Sequence, residues 1–159
     1  MSRDTKFVEE AAALGYRFDG EIKIGGNYAS LVRDGDRIYI SGQIPRVGSD
    51  VVVTGAVGAE TSLAHAQLGA KVCAMRALAL LKQSLGTLER VKGIQRITVF
   101  VQSDKQFTQQ SEVADGASDV LFNVLGPAGA HTRTSVGVYQ LPKNASVEID
   151  FIASIESPC

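Results

Sequence analysis

The chain has 159 residues and a mass of 16.9 kDa, enough for one domain and too short for two ordinary ones. Apolar residues make up 45% and charged residues 21%, which excludes a disordered polar chain, and no apolar run reaches the length of a membrane span. Sixteen Lys and Arg against seventeen Asp and Glu leave a formal charge of −1, which argues against a general nucleic-acid or anionic-membrane surface.

The first residues, MSRDTKFVEEAAALG, lack the apolar core and cleavage site of a signal peptide. They also carry acidic residues that a transit peptide avoids, so a cytoplasmic protein is expected. Asp4 to Leu14 reads as a helix with Phe7, Ala11 and Leu14 on one face and Gly15 as its stop. It is expected to form an appendage, over about residues 1–20, on a single domain. Residues 29–34 and 37–42 read as strands around an Asp34-Gly35-Asp36 turn. A looser stretch follows, in which Val51–Val53 could pair at an edge.

Residues 61–85 carry the longest helical pattern. Leu63, Ala66, Ala70, Cys73, Ala74, Ala77, Leu81 and Leu85 share one face, with Thr61 or Ser62 as cap and Gly86 as stop. Residues 94–102 form a strand rich in β-branched side chains. Residues 107–125 read as a second long helix, which Asp115-Gly116 weakens and Gly126-Pro127 ends. Residues 133–140 and 146–155 are strands joined through Leu141-Pro142-Lys143-Asn144. The order is ββαβαββ, an α+β domain of two layers. Both crossovers are right-handed, which puts the two long helices on one sheet face. The other face then needs a partner, so the order points to an oligomer.

Candidate chemistry gathers in the last two strands. Thr134, Val136 and Val138 alternate with Arg133, Ser135, Gly137 and Tyr139, while Val147, Ile149, Phe151, Ala153 and Ile155 alternate with Glu148, Asp150, Ile152 and Ser154. Arg133 and Glu148 are thus both expected to avoid the core. Arg133 follows a glycine-rich loop and could offer its planar fork to a carboxylate or phosphate, or simply form a salt bridge. His131 could serve as an acid or base, or be an ordinary loop residue. His65 and Cys73 are expected to pack. Cys73 and the remote Cys159 make no disulfide framework, and two histidines without suitably spaced carboxylates make no zinc site. Gly25-Gly26 permit backbone bends beside Tyr28, a stacking ring or a half-buried aromatic.

Several of these stretches together resemble the RidA/YjgF family of reactive enamine/imine intermediate deaminases, also labelled endoribonuclease L-PSP. They are Ser41-Gly42-Gln43-Ile44-Pro45, the strand Ile97–Val101, Arg133, and Leu141-Pro142-Lys143 followed by Val147-Glu148-Ile149-Asp150-Phe151-Ile152-Ala153. The resemblance runs from about Ile24 to Ile155. It implies a compact chorismate-mutase-like fold assembled as a homotrimer, and a cofactor-free hydrolysis of small carboxylate-bearing imines to 2-oxo acids and ammonia. By resemblance Arg133 would hold the substrate carboxylate and Glu148 would position water. Tyr28 and Ser41 would line the substrate site, as would Ser135, which stands where the family usually has cysteine. Other departures are His131-Thr132 in place of Pro-Ala, Gln110 or Ser111 in place of an asparagine, and 114–122 in place of an aromatic-rich stretch. Two rival readings are a non-catalytic carboxylate-binding module and an endoribonuclease or translation inhibitor. The neutral charge balance counts against the second.

If 133–140 and 146–155 pair as a hairpin, Arg133 and Glu148 start roughly 20 Å apart along the sheet, at about 3.3 Å per residue. The expectation is then a site completed between subunits.

Overall fold

A computed structural model describes residues 1–157. The chain folds into α1 (Arg3–Leu14), β1 (Leu31–Asp34), β2 (Arg37–Gln43), a small ribbon β3 (Arg46–Val47) and β4 (Asp50–Val51), α2 (Leu63–Leu85), β5 (Val91–Gln102), α3 (Gln110–Leu125), β6 (Thr132–Val138) and β7 (Val147–Ile155). The five-stranded sheet has the order β1-β2-β7-β5-β6. The two long helices cover one of its faces, with α2 packed against β7 and β2 and α3 against β5 and β6. The β4 segment does not join an edge of this sheet, but forms a separate ribbon with β3.

Helix α2 starts at Ser62, whose hydroxyl accepts from the His65 amide, and stops at Gly86 with a φ of 86°. Fourteen of its 23 residues are buried. Its middle is enclosed on nearly all sides, where one apolar stripe was expected. His65, expected to pack, is exposed on the first turn. Cys73 is fully buried, and burial pushes its thiol far up, so it is an inert core residue. Its expected lack of a bridge to Cys159 lies outside the described residues. The Asp115-Gly116 pair in α3 has a packing reason: a Cβ at Gly116 would strike the Gln67 backbone of α2. Only glycine permits that helix–helix approach.

Helix α1 is stitched to the segment before β5. The Leu88 amide donates to Asp4 Oδ1 at 2.9 Å, and the Thr87 hydroxyl donates to Asp4 Oδ2 at 2.6 Å. Phe7 on the same helix is buried, with Lys82 over its ring.

The expected hairpin of the last two strands does not form. Strand β5 lies between them, antiparallel to β7 and parallel to β6. A helical crossover through α3 makes the parallel pairing of β5 and β6 possible. The 139–146 connection then has to step over the end of β5. Gln102, at that end, holds it there: its Oε1 accepts from the Leu141 amide and its Nε2 donates to Asn144 Oδ1, both at 2.8 Å.

Candidate active site

Strand β7 presents Glu148, Asp150, Ile152 and Ser154 to the face away from the helices, as the alternation requires. Glu148 stands opposite Phe100 on one side, while on the other the β2–β7 register slips between Ile40 and Gln43. Gly42 lies in that slip, and a Cβ built on it would sit 2.6 Å from Glu148 Oε1. The carboxylate therefore occupies the space that a side chain at 42 would take. Burial, then the nearby Asp150, push the Glu148 carboxyl above the usual carboxylate range. Asp150 is also raised by burial, against the pull of a hydrogen bond from Thr98 and the charge of Arg96.

Glu148 borders a cavity of about 200 Å³ together with Tyr28, Gly42, Ile44, Arg46 and Arg76. Tyr28 reaches it from the glycine-rich turn, with its ring folded against Gly26. Ser41 does not line this cavity. Its hydroxyl donates to the Ala29 carbonyl at 2.7 Å and its amide donates to the Ser30 carbonyl, so it fixes the segment that carries Tyr28.

Two residues in the wall were not singled out in the sequence. Gln43 and Arg76 are 1% and 4% exposed. Arg76 Nε donates to Gln43 Oε1 at 3.0 Å, while its Nη atoms donate to the Arg46 and Lys23 carbonyls at 2.8 and 2.6 Å. The available signals were an arginine inside an alanine-rich helical stretch and the place of Gln43 within the Ser41–Pro45 motif.

Arg133 and Ser135 lie elsewhere, because the two faces of β6 are the reverse of those expected. Arg133 is in register with the fully buried Ile97 and points to the helix side. Thr134 and Val136 face the open side, where Arg96 donates to the Thr134 hydroxyl at 2.6 Å. An edge strand roofed by α3 inverts a reading based on hydrophobicity alone, since its inward residues meet polar groups of the helix. Arg133 Nη1 donates to Asp115 Oδ1 and Ser118 Oγ, both at 2.9 Å. Its Nη2 donates to the Ser111 hydroxyl at 2.9 Å and to the Ser111 carbonyl at 3.3 Å. Ser118 lies 2.8 Å from His131 Nε2, and His131 Nδ1 lies 2.6 Å from the Gly129 carbonyl. A carbonyl only accepts, so Nδ1 carries a proton. His131 thus belongs to the hydrogen-bond chain behind Arg133.

Within one chain Arg133 and Glu148 do not meet. They are two strands apart and offset by three residues along β5. At about 4.8 Å per strand and 3.3 Å per residue, their Cα atoms are about 14 Å apart. This replaces the hairpin distance, and the two side chains also leave opposite faces of the sheet. Among the described residues no group of three or more His, Cys, Asp or Glu could hold a metal ion, and no helix is long and apolar enough to cross a membrane.

Residues 10–155 match the YjgF/chorismate-mutase-like family, which carries an endoribonuclease label. The chain is 37% identical over 145 residues to protein TCP17 of Trypanosoma cruzi, covering 91% of each. It is 30% identical over 132 residues to a 2-iminobutanoate/2-iminopropanoate deaminase of Dermatophagoides farinae, covering 82% of this chain and 88% of the relative. The crystal structure of protein Atu1372 from Agrobacterium tumefaciens superposes with a TM-score of 0.86 at 35% identity, covering 97% of this chain and 95% of that one.

Proposed function

This chain belongs to the RidA/YjgF family, and on that premise we propose that it hydrolyses small carboxylate-bearing enamines and imines to 2-oxo acids and ammonia. The observation that carries the reading is Glu148: a partly desolvated carboxylate whose pKa is raised, bordering a small cavity with Tyr28 and Gly42. A raised carboxylate is a better base than a free one, and it can return the proton it takes. An enamine first takes a proton at its β-carbon and releases one from nitrogen, and so becomes the imine. Glu148 then accepts a proton from water as the water oxygen bonds to the imine carbon. That proton passes to nitrogen to give the carbinolamine; its hydroxyl then gives up its own proton to the same nitrogen through Glu148 as the C–N bond breaks, so ammonia leaves as the C=O of the 2-oxo acid forms. An imine is already electrophilic, so the chemistry calls for no cofactor.

Arg133 is the proposed anchor for the substrate carboxylate, with Ser135 beside it, Tyr28 against the substrate and Ser41 bracing the Tyr28 segment. Since Arg133 and Glu148 leave opposite faces of one sheet, a site using both draws them from different copies of the chain. The proposed assembly is a homotrimer. Its support is the open sheet face, where Val32, Tyr39 and Val136 are 53%, 44% and 39% exposed. A monomer gains little from leaving such residues in water.

The rival reading is a non-catalytic carboxylate-binding module, and either reading faces the same hurdle at the anchor. All four Nη hydrogens of Arg133 are used by Asp115, Ser111 and Ser118, so a substrate carboxylate has to displace Asp115. The deciding experiment measures ammonia release from 2-iminopropanoate generated in situ, with and without the purified protein. Acceleration over the spontaneous rate supports the hydrolase; binding of 2-oxo acids without acceleration supports the module.

A further inference from the structure

The wall of the Glu148 cavity carries more positive charge than the proposed hydrolysis uses. Lys23, Arg46, Arg76 and Lys143 line it, against the single carboxylate of Glu148. Among the described residues none of these four cations is in an ion pair; the pairs are Arg3–Glu89, Arg17–Asp19 and Arg133–Asp115. Arg76 is the unusual member. It is 4% exposed, and its three hydrogen-bond acceptors are an amide oxygen and two backbone carbonyls, all neutral. A guanidinium has five N–H groups, so one on each Nη is left without an acceptor among the described residues.

Removing a cation from water without a counter-charge is costly. This one is nevertheless held rigidly. Gln43 grips its Nε while donating its own Nε2 to the Ser41 carbonyl at 2.9 Å, which orients the fork. Lys143, which also lines the cavity, and its neighbour Asn144 both have positive φ, 60° and 58°. Two successive non-glycine residues in that region store strain, which a surrounding structure maintains where it serves a site. Here the Gln102 clamp keeps the turn, and with it Lys143, at the mouth of the cavity.

We propose that this cavity receives the second carboxylate of a four- or five-carbon dicarboxylic ligand, clasped by Arg76 and Arg46 with Lys143 at the rim. A cavity of about 200 Å³ holds several waters at about 30 Å³ each. That suits the end of a short diacid. The proposal rests on the reading of this cavity as the hydrolytic site, and it names the substrate class: imines that bear a side-chain carboxylate besides the one offered to Arg133.

The test is a calorimetric titration of the intact, assembled protein with succinate, butanoate and inorganic phosphate, with no imine present. Succinate and butanoate share a four-carbon chain and differ in one carboxylate. Charge-assisted hydrogen bonds to that group predict tighter binding of succinate by about tenfold or more. Arg46→Gln and Arg76→Gln should each abolish the preference. If the buried Arg76→Gln chain fails to fold by circular dichroism, the half-buried Arg46→Gln variant decides alone. Equal affinity for succinate and butanoate overturns the proposal. So does a preference that survives in folded Arg46→Gln, or phosphate binding without any preference for succinate. Because no turnover is read, a succinate preference without imine hydrolysis sinks only the proposed reaction. Hydrolysis without the preference sinks only the second-carboxylate pocket.

Discussion

Replacing Gly42 with alanine puts a methyl group where the Glu148 carboxylate now lies. The new Cβ would be 2.6 Å from Oε1, 2.9 Å from Cδ and 3.1 Å from Cγ of Glu148. Ordinary carbon contacts need about 3.5 Å, so the carboxyl group must retreat by about 0.5–1 Å. It can do so cheaply, because the displaced atoms are the end of a flexible side chain and the Gly42 backbone is not in the left-handed region. The substitution also narrows the unfolded ensemble, which offsets about 0.4–1 kcal/mol of any strain. The expected result is a split outcome. The melting temperature of Gly42→Ala should stay within a few degrees of wild type, while imine hydrolysis falls about a hundredfold, the scale set by a 1 Å misplacement of a catalytic group. Ammonia release and calorimetry on the same preparation measure both. Wild-type turnover in Gly42→Ala would refute the role of Glu148, and a loss of turnover that merely tracks unfolding would refute the geometric argument.

Other perturbations address the remaining parts of the site. Arg133→Ala should abolish ammonia release and cost about 1–3 kcal/mol in stability, because it removes hydrogen bonds of a charged group that is itself only 22% exposed; lysine should rescue poorly for want of a planar fork, and undiminished turnover in the alanine chain would remove the anchor. Mixing inactive Arg133→Ala and Glu148→Ala chains should recover part of the activity, whereas none after verified subunit exchange would tell against a site shared between copies. Glu148 and Asp150 both have folded pKa values above their ordinary 4.5 and 3.8. The unfolded chain therefore releases these protons first, and stability falls as pH rises from those ordinary values through the folded ones. Thermal melts should show Glu148→Gln gaining over wild type at pH 7.5 and not at pH 4; an equal difference at both values would contradict the raised carboxyl.

The fold was legible where one periodicity ruled. The alanine-rich face of α2, its Ser62 and Gly86 ends and the unbroken apolar face of β7 all appear in the sequence, and the motif resemblance adds the family. Strand partners were not legible, because residues 133–155 read locally as a hairpin. That β5 intervenes depends on the α3 crossover and on the Gln102 clamp, whose members are 39 and 42 residues apart in the chain. The face of Arg133 was misread because in an edge strand roofed by polar groups of a helix the more apolar alternate residues face outward. Glu148 and Tyr28 were found through motifs. Gln43 lay inside the quoted Ser41–Pro45 motif without a role, and Arg76 was not found, since a single charge in a helix says nothing about whether it points to water or inward. Their burial arises from segments 23–25 and 43–46 folding over the helix, which is a tertiary event.

The position of β7 also orders events during synthesis. Among the described residues it is the last of the seven strands but the middle strand of the main sheet. Until it leaves the ribosome, β2 and β5 each lack their neighbour on that side, and the nascent chain holds two open edges that could pair with another molecule. Such late, long-range pairing is slow. The arrival of β7 closes both edges at once, joins the β1–β2 hairpin to the helical crossovers, and delivers Glu148 beside Gly42. Completion of the sheet and assembly of the Glu148 cavity are therefore one step, so a partly made chain never carries that cavity in working form.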